Sequence, residues 1–113
     1  MCTILAVGKD IDLLYTRSRV LSQTGADIVM GNLDEALRIL KARPIDLVVL
    51  CHTLSQPEMV EIASLARQRN PATRMLQLVA VRSEVSPPEL AADAVTTAQP
   101  QLLIAKVTQM LES

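Results

Sequence analysis

Cys51 and His52 stand directly behind the run Leu47-Val48-Val49-Leu50 and are the residues of this chain best placed to do chemistry. A thiol at a crevice mouth can act as a nucleophile or a redox centre when a nearby cation or helix N-terminus lowers its pKa. Equally, cysteine is a small, often buried hydrophobe that fills space. His52 is the chain's one histidine. Neighbours in an extended chain point to opposite sides, so Cys51 and His52 lack the geometry of a nucleophilic pair. Without a second histidine, nothing suggests a metal site of the zinc kind. Lys9, within Gly8-Lys9-Asp10, could bind a phosphate or a carboxylate, or serve as a solvated loop residue paired with Asp10 or Asp12. Gly8 by itself is a weak phosphate-loop signal, because neither GxGxxG nor GxxxxGK[ST] is present. Cys2 reads as an edge-of-core residue and the five methionines as core fillers.

The elements that must position these residues follow from spacing. Leu47 to Leu50 is an unbroken, mostly β-branched apolar run bounded by polar residues, the pattern of a strand buried on both faces. Thr3 to Val7 is a second such run, Ala26 to Met30 a brief third, Arg74 to Ala80 a fourth and Ala94 to Thr97 a weak fifth. Between them lie helical spacings. Ile11 to Gln23 carries Leu14, Ser18 and Leu21 on one stripe, with Asp10 or Asp12 as N-cap and Thr24-Gly25 as the stop. LDEALRILKAR follows Asn32 as cap, and Pro57 to Arg69 turns Val60, Ala63, Leu65 and Ala66 inward. Ser86-Pro87-Pro88-Glu89 has the form of a short helix start. Gln101 to Leu111 closes the chain with Leu103, Ile104, Val107 and Leu111 inward. Strands alternating with helices predict a doubly wound α/β domain, flavodoxin-like, with a five-stranded parallel sheet in the order 2-1-3-4-5. That order places the loops after Val7 and Leu50 on one crevice, where ligands of open α/β sheets bind.

Composition sets the outer limits. The 113 residues suit one domain, and half of them are hydrophobic, with no Phe or Trp and a single Tyr, so the core is aliphatic. Eleven basic and twelve acidic residues leave a net charge of −1, no electrostatic footprint for nucleic acid or an anionic membrane. No apolar run approaches the roughly 20 residues of a membrane span. The chain reads as cytoplasmic. Cys2 and Cys51 fall at opposite ends of parallel strands, too far apart for a disulfide.

The sequence resembles the receiver domain of two-component response regulators. ILAVGKD is similar to the family's opening strand and acidic pair, and TGADIVMGNLDEAL to its second strand and helix. IDLVVLCHTL is similar to the strand that normally ends in the phosphoacceptor aspartate. ARQRNPATRMLQLVA and TTAQPQLLIAKVTQML resemble the Thr/Ser-ending strand and the closing Lys-Pro turn with its helix. The resemblance places the phosphoacceptor on Cys51 and the Mg²⁺-holding acidic pair on Gly8 and Lys9. It places the hydroxyl residue on Val79, or on Ala80 with a register one residue later, and the lysine on Gln99. Pro100 survives, and the resemblance implies a cis Gln99–Pro100 bond. The switch aromatic falls near Thr96.

Phosphoryl transfer to a receiver needs a carboxylate nucleophile and a hard cation on oxygen ligands. With Gly8, Lys9 and Cys51 in those places a strongly negative cradle becomes positive. The expectation is therefore a degenerate pseudo-receiver: not an enzyme, with no cofactor or metal. It would act in two-component or phosphorelay signalling by binding a histidine kinase, an output or regulator protein, or a second copy of itself. The implied interaction face carries Pro88, Leu90, Thr96, Leu102 and Lys106. Two alternatives are a thiol-based redox switch at Cys51 and a flavodoxin-like small-molecule pocket at the same crevice.

Overall fold

The computed structural model describes residues 2–80, 90, 92–97 and 99–112. Five strands, β1 (Thr3–Val7), β2 (Asp27–Gly31), β3 (Leu47–Leu50), β4 (Arg74–Val79) and β5 (Ala94–Thr97), form one parallel sheet in the order β2-β1-β3-β4-β5. β3 is central and all four of its residues are buried. Among the described residues the helices are α1 (Ile11–Ser22), α2 (Leu33–Ala42), α3 (Gln56–Arg69) and α4 (Pro100–Glu112). The helix expected from Ser86 onward, with Pro87 and Pro88, lies outside the described residues.

The strand alternation divides the core in two, because successive side chains point to opposite faces. Leu5, Val7, Val48, Leu50 and Met75 pack with Ala36 and Leu40 of α2 and with Met59, Ile62, Ala63 and Ala66 of α3. Ile4, Ala6, Leu47, Val49, Cys51, Leu76 and Leu78 pack with Leu14 and Leu21 of α1 and with Leu103, Val107 and Met110 of α4. The single aromatic ring takes no part: Tyr15 is 55% exposed on the outer side of α1. Burying aliphatic side chains at roughly 1.5–3 kcal/mol each is therefore what drives this chain to fold.

Local chemistry sets the boundaries. Asp10 is the N-cap of α1, its Oδ1 accepting from the N–H groups of Asp12 and Leu13 at 3.1 and 3.3 Å. Asn32 with Glu35 and Ser55 with Glu58 form reciprocal capping boxes on α2 and α3. The chain leaves α1 through Gly25 at φ +84°, a conformation that a side chain would strain.

Two helices bury residues beyond the expected ones. On α1 the buried residues are Leu14, Arg17 and Leu21, with Ser18 half-buried. On α3 they are Met59 and Ile62 together with the expected Ala63 and Ala66, while Val60 and Leu65 are half-buried against the same core.

The cis Gln99–Pro100 bond is corrected: no described peptide bond is cis. Pro100 is the first residue of α4 and the carbonyl of Gln99 accepts from the N–H of Leu103 at 2.9 Å. The pyrrolidine ring suits that first-turn position without a cis bond.

Candidate functional site

Parallel pairing brings the ends of β1 and β3 side by side. Val7 is in register with Leu50, and the N–H of Cys51 donates to the carbonyl of Val7 at 2.9 Å. Gly8 and Lys9 thereby meet the turn that starts at Cys51. A Cβ built on Gly8 would stand 3.2 Å from the Cβ of Cys51 and 3.3 Å from Oγ1 of Thr53. The absence of a side chain there is thus a matter of space, filled from the facing turn.

Lys9 holds the turn at two points. Its backbone N–H donates to Oγ1 of Thr53 at 3.0 Å, and its Nζ lies 2.8 Å from Oε1 of Glu58 on the first turn of α3. The hydrogen bonds from Lys9 and from the Ser55 backbone hold the Glu58 carboxyl below its usual range. Lys9 is more than half exposed, so this is a surface pair. The expected partners Asp10 and Asp12 do not take it.

Cys51 is fully buried. Burial pushes its thiol pKa up, against the opposing pull of the Arg17 guanidinium beside it. A redox or nucleophilic thiol needs access and an ionised sulfur, and this one is a protonated residue of the core.

Arg17 is the residue that sequence reasoning missed. It reaches in from α1 at 7% exposure, and its Nη2 lies 3.2 Å from Nδ1 of His52. Among the described residues no acceptor meets its buried Nη1. A guanidinium only donates, so His52 Nδ1 carries the lone pair in this contact. The signal for Arg17 was present in the spacing Leu14, Arg17, Leu21, but a cation on an inward stripe is read as a break in the stripe rather than as part of it.

These residues do not fit the divalent cation that the resemblance implies. Gly8 offers no side chain, Lys9 is a cation, Glu58 is tied to Lys9 and the Asp10 carboxylate caps α1. The sulfur of Cys51 is a soft donor, unsuited to Mg²⁺. Among the described residues no three His, Cys, Asp or Glu side chains are grouped to hold a metal ion.

The other positions are spread. Val79 ends β4 buried, and Gln99 is exposed ahead of α4. Thr96, Leu102 and Lys106 are brought together with Val79, Val95, Ala105 and Gln109 around an open groove of about 570 Å³. Leu90 is not on that surface. It is fully buried in the core beneath α3, and its carbonyl accepts from Nη1 of Arg67 at 2.7 Å. Its apolar bulk outweighs the expected docking role. Pro88 lies outside the described residues.

Sheet order, helix placement and the crevice at the ends of β1 and β3 match the CheY-like receiver fold. The chain is similar to TrrA of Thermotoga maritima, solved in complex with Mg²⁺-BeF, at 24% identity and a TM-score of 0.82 over 97% of this chain and 99% of that one. A CheY-like receiver domain of Methanospirillum hungatei matches at 20% identity and a TM-score of 0.81, covering 99% of this chain and 94% of that one. CheY4 of Vibrio cholerae matches at 19% identity and a TM-score of 0.82, covering 97% and 98%. No family model matches the sequence, and no curated protein does. Among the described residues no helix is long and apolar enough to cross a membrane.

Proposed function

We propose that this chain is a receiver-like module that does not accept a phosphoryl group and that acts by binding other proteins in two-component or related signalling. The observation that carries the reading is the filling of the crevice. A buried, protonated thiol stands at the end of β3, with Gly8 closed against it and Lys9 clamped to Glu58. Phosphoryl transfer to a carboxylate needs a nucleophilic oxygen and a hard cation in that place. Neither demand is met by these side chains. A cytoplasmic setting fits such a role.

Binding then falls to surface. The groove of Thr96, Leu102 and Lys106 beside the half-exposed edge residue Val95 is the face assigned to a partner. A histidine kinase, an output or regulator protein, or a second copy of the chain are the partners this reading entails.

The test is an amide NMR titration with Mg²⁺, followed by beryllofluoride and by acetyl phosphate. The expected result is no saturable Mg²⁺ shift at Gly8, Lys9, Asp10 or Cys51 and no covalent phosphate by mass spectrometry. Saturable Mg²⁺ shifts at Gly8 to Asp10, or a phosphorylated chain, would overturn the reading.

A further inference from the structure

We propose that Arg17 is an anion receptor: an oxyanion of the phosphate or carboxylate class takes the guanidinium from His52 and frees the His52 side chain from α1. The inference stands apart from the question of phosphoryl transfer, since it needs neither a nucleophile nor a metal.

Its starting point is an uncompensated charge. Arg17 is buried to all but 7%, and buried charges in proteins are ordinarily paired. Among the described residues the acceptor that Arg17 has is an imidazole nitrogen at 3.2 Å, and Nη1 has none. The neighbouring thiol supplies no counter-charge, because burial keeps it protonated. Glu58 is engaged by Lys9, and Asp10 by the N-terminus of α1. A planar guanidinium with a free edge is suited to two parallel bonds to an oxyanion, each about twice as strong as a bond between neutral groups.

Besides the backbone bond from the Cys51 N–H to the Val7 carbonyl, the side-chain contacts across the crevice run one way. Donors come from Lys9 and Arg17, and acceptors are His52, Thr53 and Glu58. Two of the three acceptors, an imidazole and a hydroxyl, are neutral and weaker than a charged oxygen. His52 is half-buried whereas Arg17 is buried, so the group that has to yield is the one already reaching water. Because His52 and Thr53 are adjacent, losing the Arg17 contact leaves them tied across the crevice by Lys9 and, at the start of the turn, by the Cys51 bond to Val7.

The experiment is a titration of the whole chain with inorganic phosphate and, separately, with acetate, read by amide and arginine Nε–H NMR shifts. Chloride at matched ionic strength is the reference. Expected are saturable shifts at Arg17, His52 and Thr53 beyond those caused by chloride. Arg17→Met should weaken binding by roughly tenfold or more, the loss of a charge-assisted contact. His52→Ala removes the competing acceptor and should tighten binding several-fold. A response to phosphate alone assigns a tetrahedral oxyanion, and a response to acetate as well admits an acidic side chain of a partner. Shifts that only follow chloride, that persist in Arg17→Met, or that weaken in His52→Ala would overturn the proposal. If Arg17→Met does not fold, the His52→Ala arm decides. The Mg²⁺ outcome described above is independent of both.

Discussion

Gly8 and Cys51 are matched in volume: the Cβ that Gly8 lacks would come within 3.2 Å of the Cβ that Cys51 has. Thr53 closes the same space at 3.3 Å. Adding one methyl group by Gly8→Ala should therefore cost about 1–2 kcal/mol, the range for overpacking a tight contact. Urea unfolding followed by far-UV circular dichroism measures it. An unchanged midpoint would mean that the turn gives way freely.

Arg17 offers a test of what a buried, half-paired cation does to stability. Arg17→Met keeps most of the packing and removes the charge, so stability should stay within about 1 kcal/mol of the wild type or rise. Arg17→Ala removes the packing as well and should cost about 2–3 kcal/mol. A large loss in Arg17→Met would show that the His52 contact, at 3.2 Å, stabilises far more than a single hydrogen bond to a neutral group normally does.

Cys51 should resist modification in the folded protein. Burial raises its pKa above the ordinary value of 9.0, so a thiol reagent should label the half-buried Cys2 first and reach Cys51 only through opening. The linked stability has a definite sign. A raised thiol pKa contributes stability that is fully present below the unfolded value near 9.0 and is lost as pH rises through the folded one. The stability of Cys51→Ala should fall less steeply than that of the wild type on the alkaline side. Parallel slopes would contradict the burial argument.

Glu58 acts at the other end of the scale. Its carboxyl pKa is held below 4.5, so its contribution is present above that value and is lost as pH falls through the lowered one. Lys9 is 56% exposed, which limits the pair to less than about 1 kcal/mol. Lys9→Met, Glu58→Gln and the double variant, compared at neutral pH and at acid pH, should show a coupling of that size that vanishes in acid. A coupling that grows on acidification would reverse the assignment.

Much of the architecture was legible because strands and helices here have different periods. Buried runs such as Leu47–Leu50 and residues 4–7 are uniformly apolar, and the caps at Asp10 and Asn32 are side-chain chemistry written into adjacent residues, whereas the Ser55 cap ahead of Pro57 was not read. The full inward face of each helix was less legible. α3 is apolar on several sides, so Met59 and Ile62 were hidden behind Val60 and Leu65. Arg17 was hidden by its charge.

The site was half legible. Position along the chain brought out Gly8, Lys9, Cys51 and His52, because each follows a strand. What Gly8 faces was not readable, since Thr53 lies far along the chain and meets it only through sheet pairing. The same holds for Lys9, whose partner is Glu58 on α3 rather than the nearby Asp10 or Asp12. Leu90 and Pro100 were placed by likeness to a family, and their own surroundings, a packed core and the first turn of a helix, decided otherwise.

The position of Tyr15 governs how all of this can be watched. With no Trp and no Phe, its ring is the chain's one intrinsic fluorophore, and it sits in water on α1 while the interior is wholly aliphatic. Its emission will change little when that interior comes apart, and near-ultraviolet dichroism will be almost silent. A tryptophan substituted at a half-buried site such as Leu102 would give the groove an optical reporter that the native chain lacks.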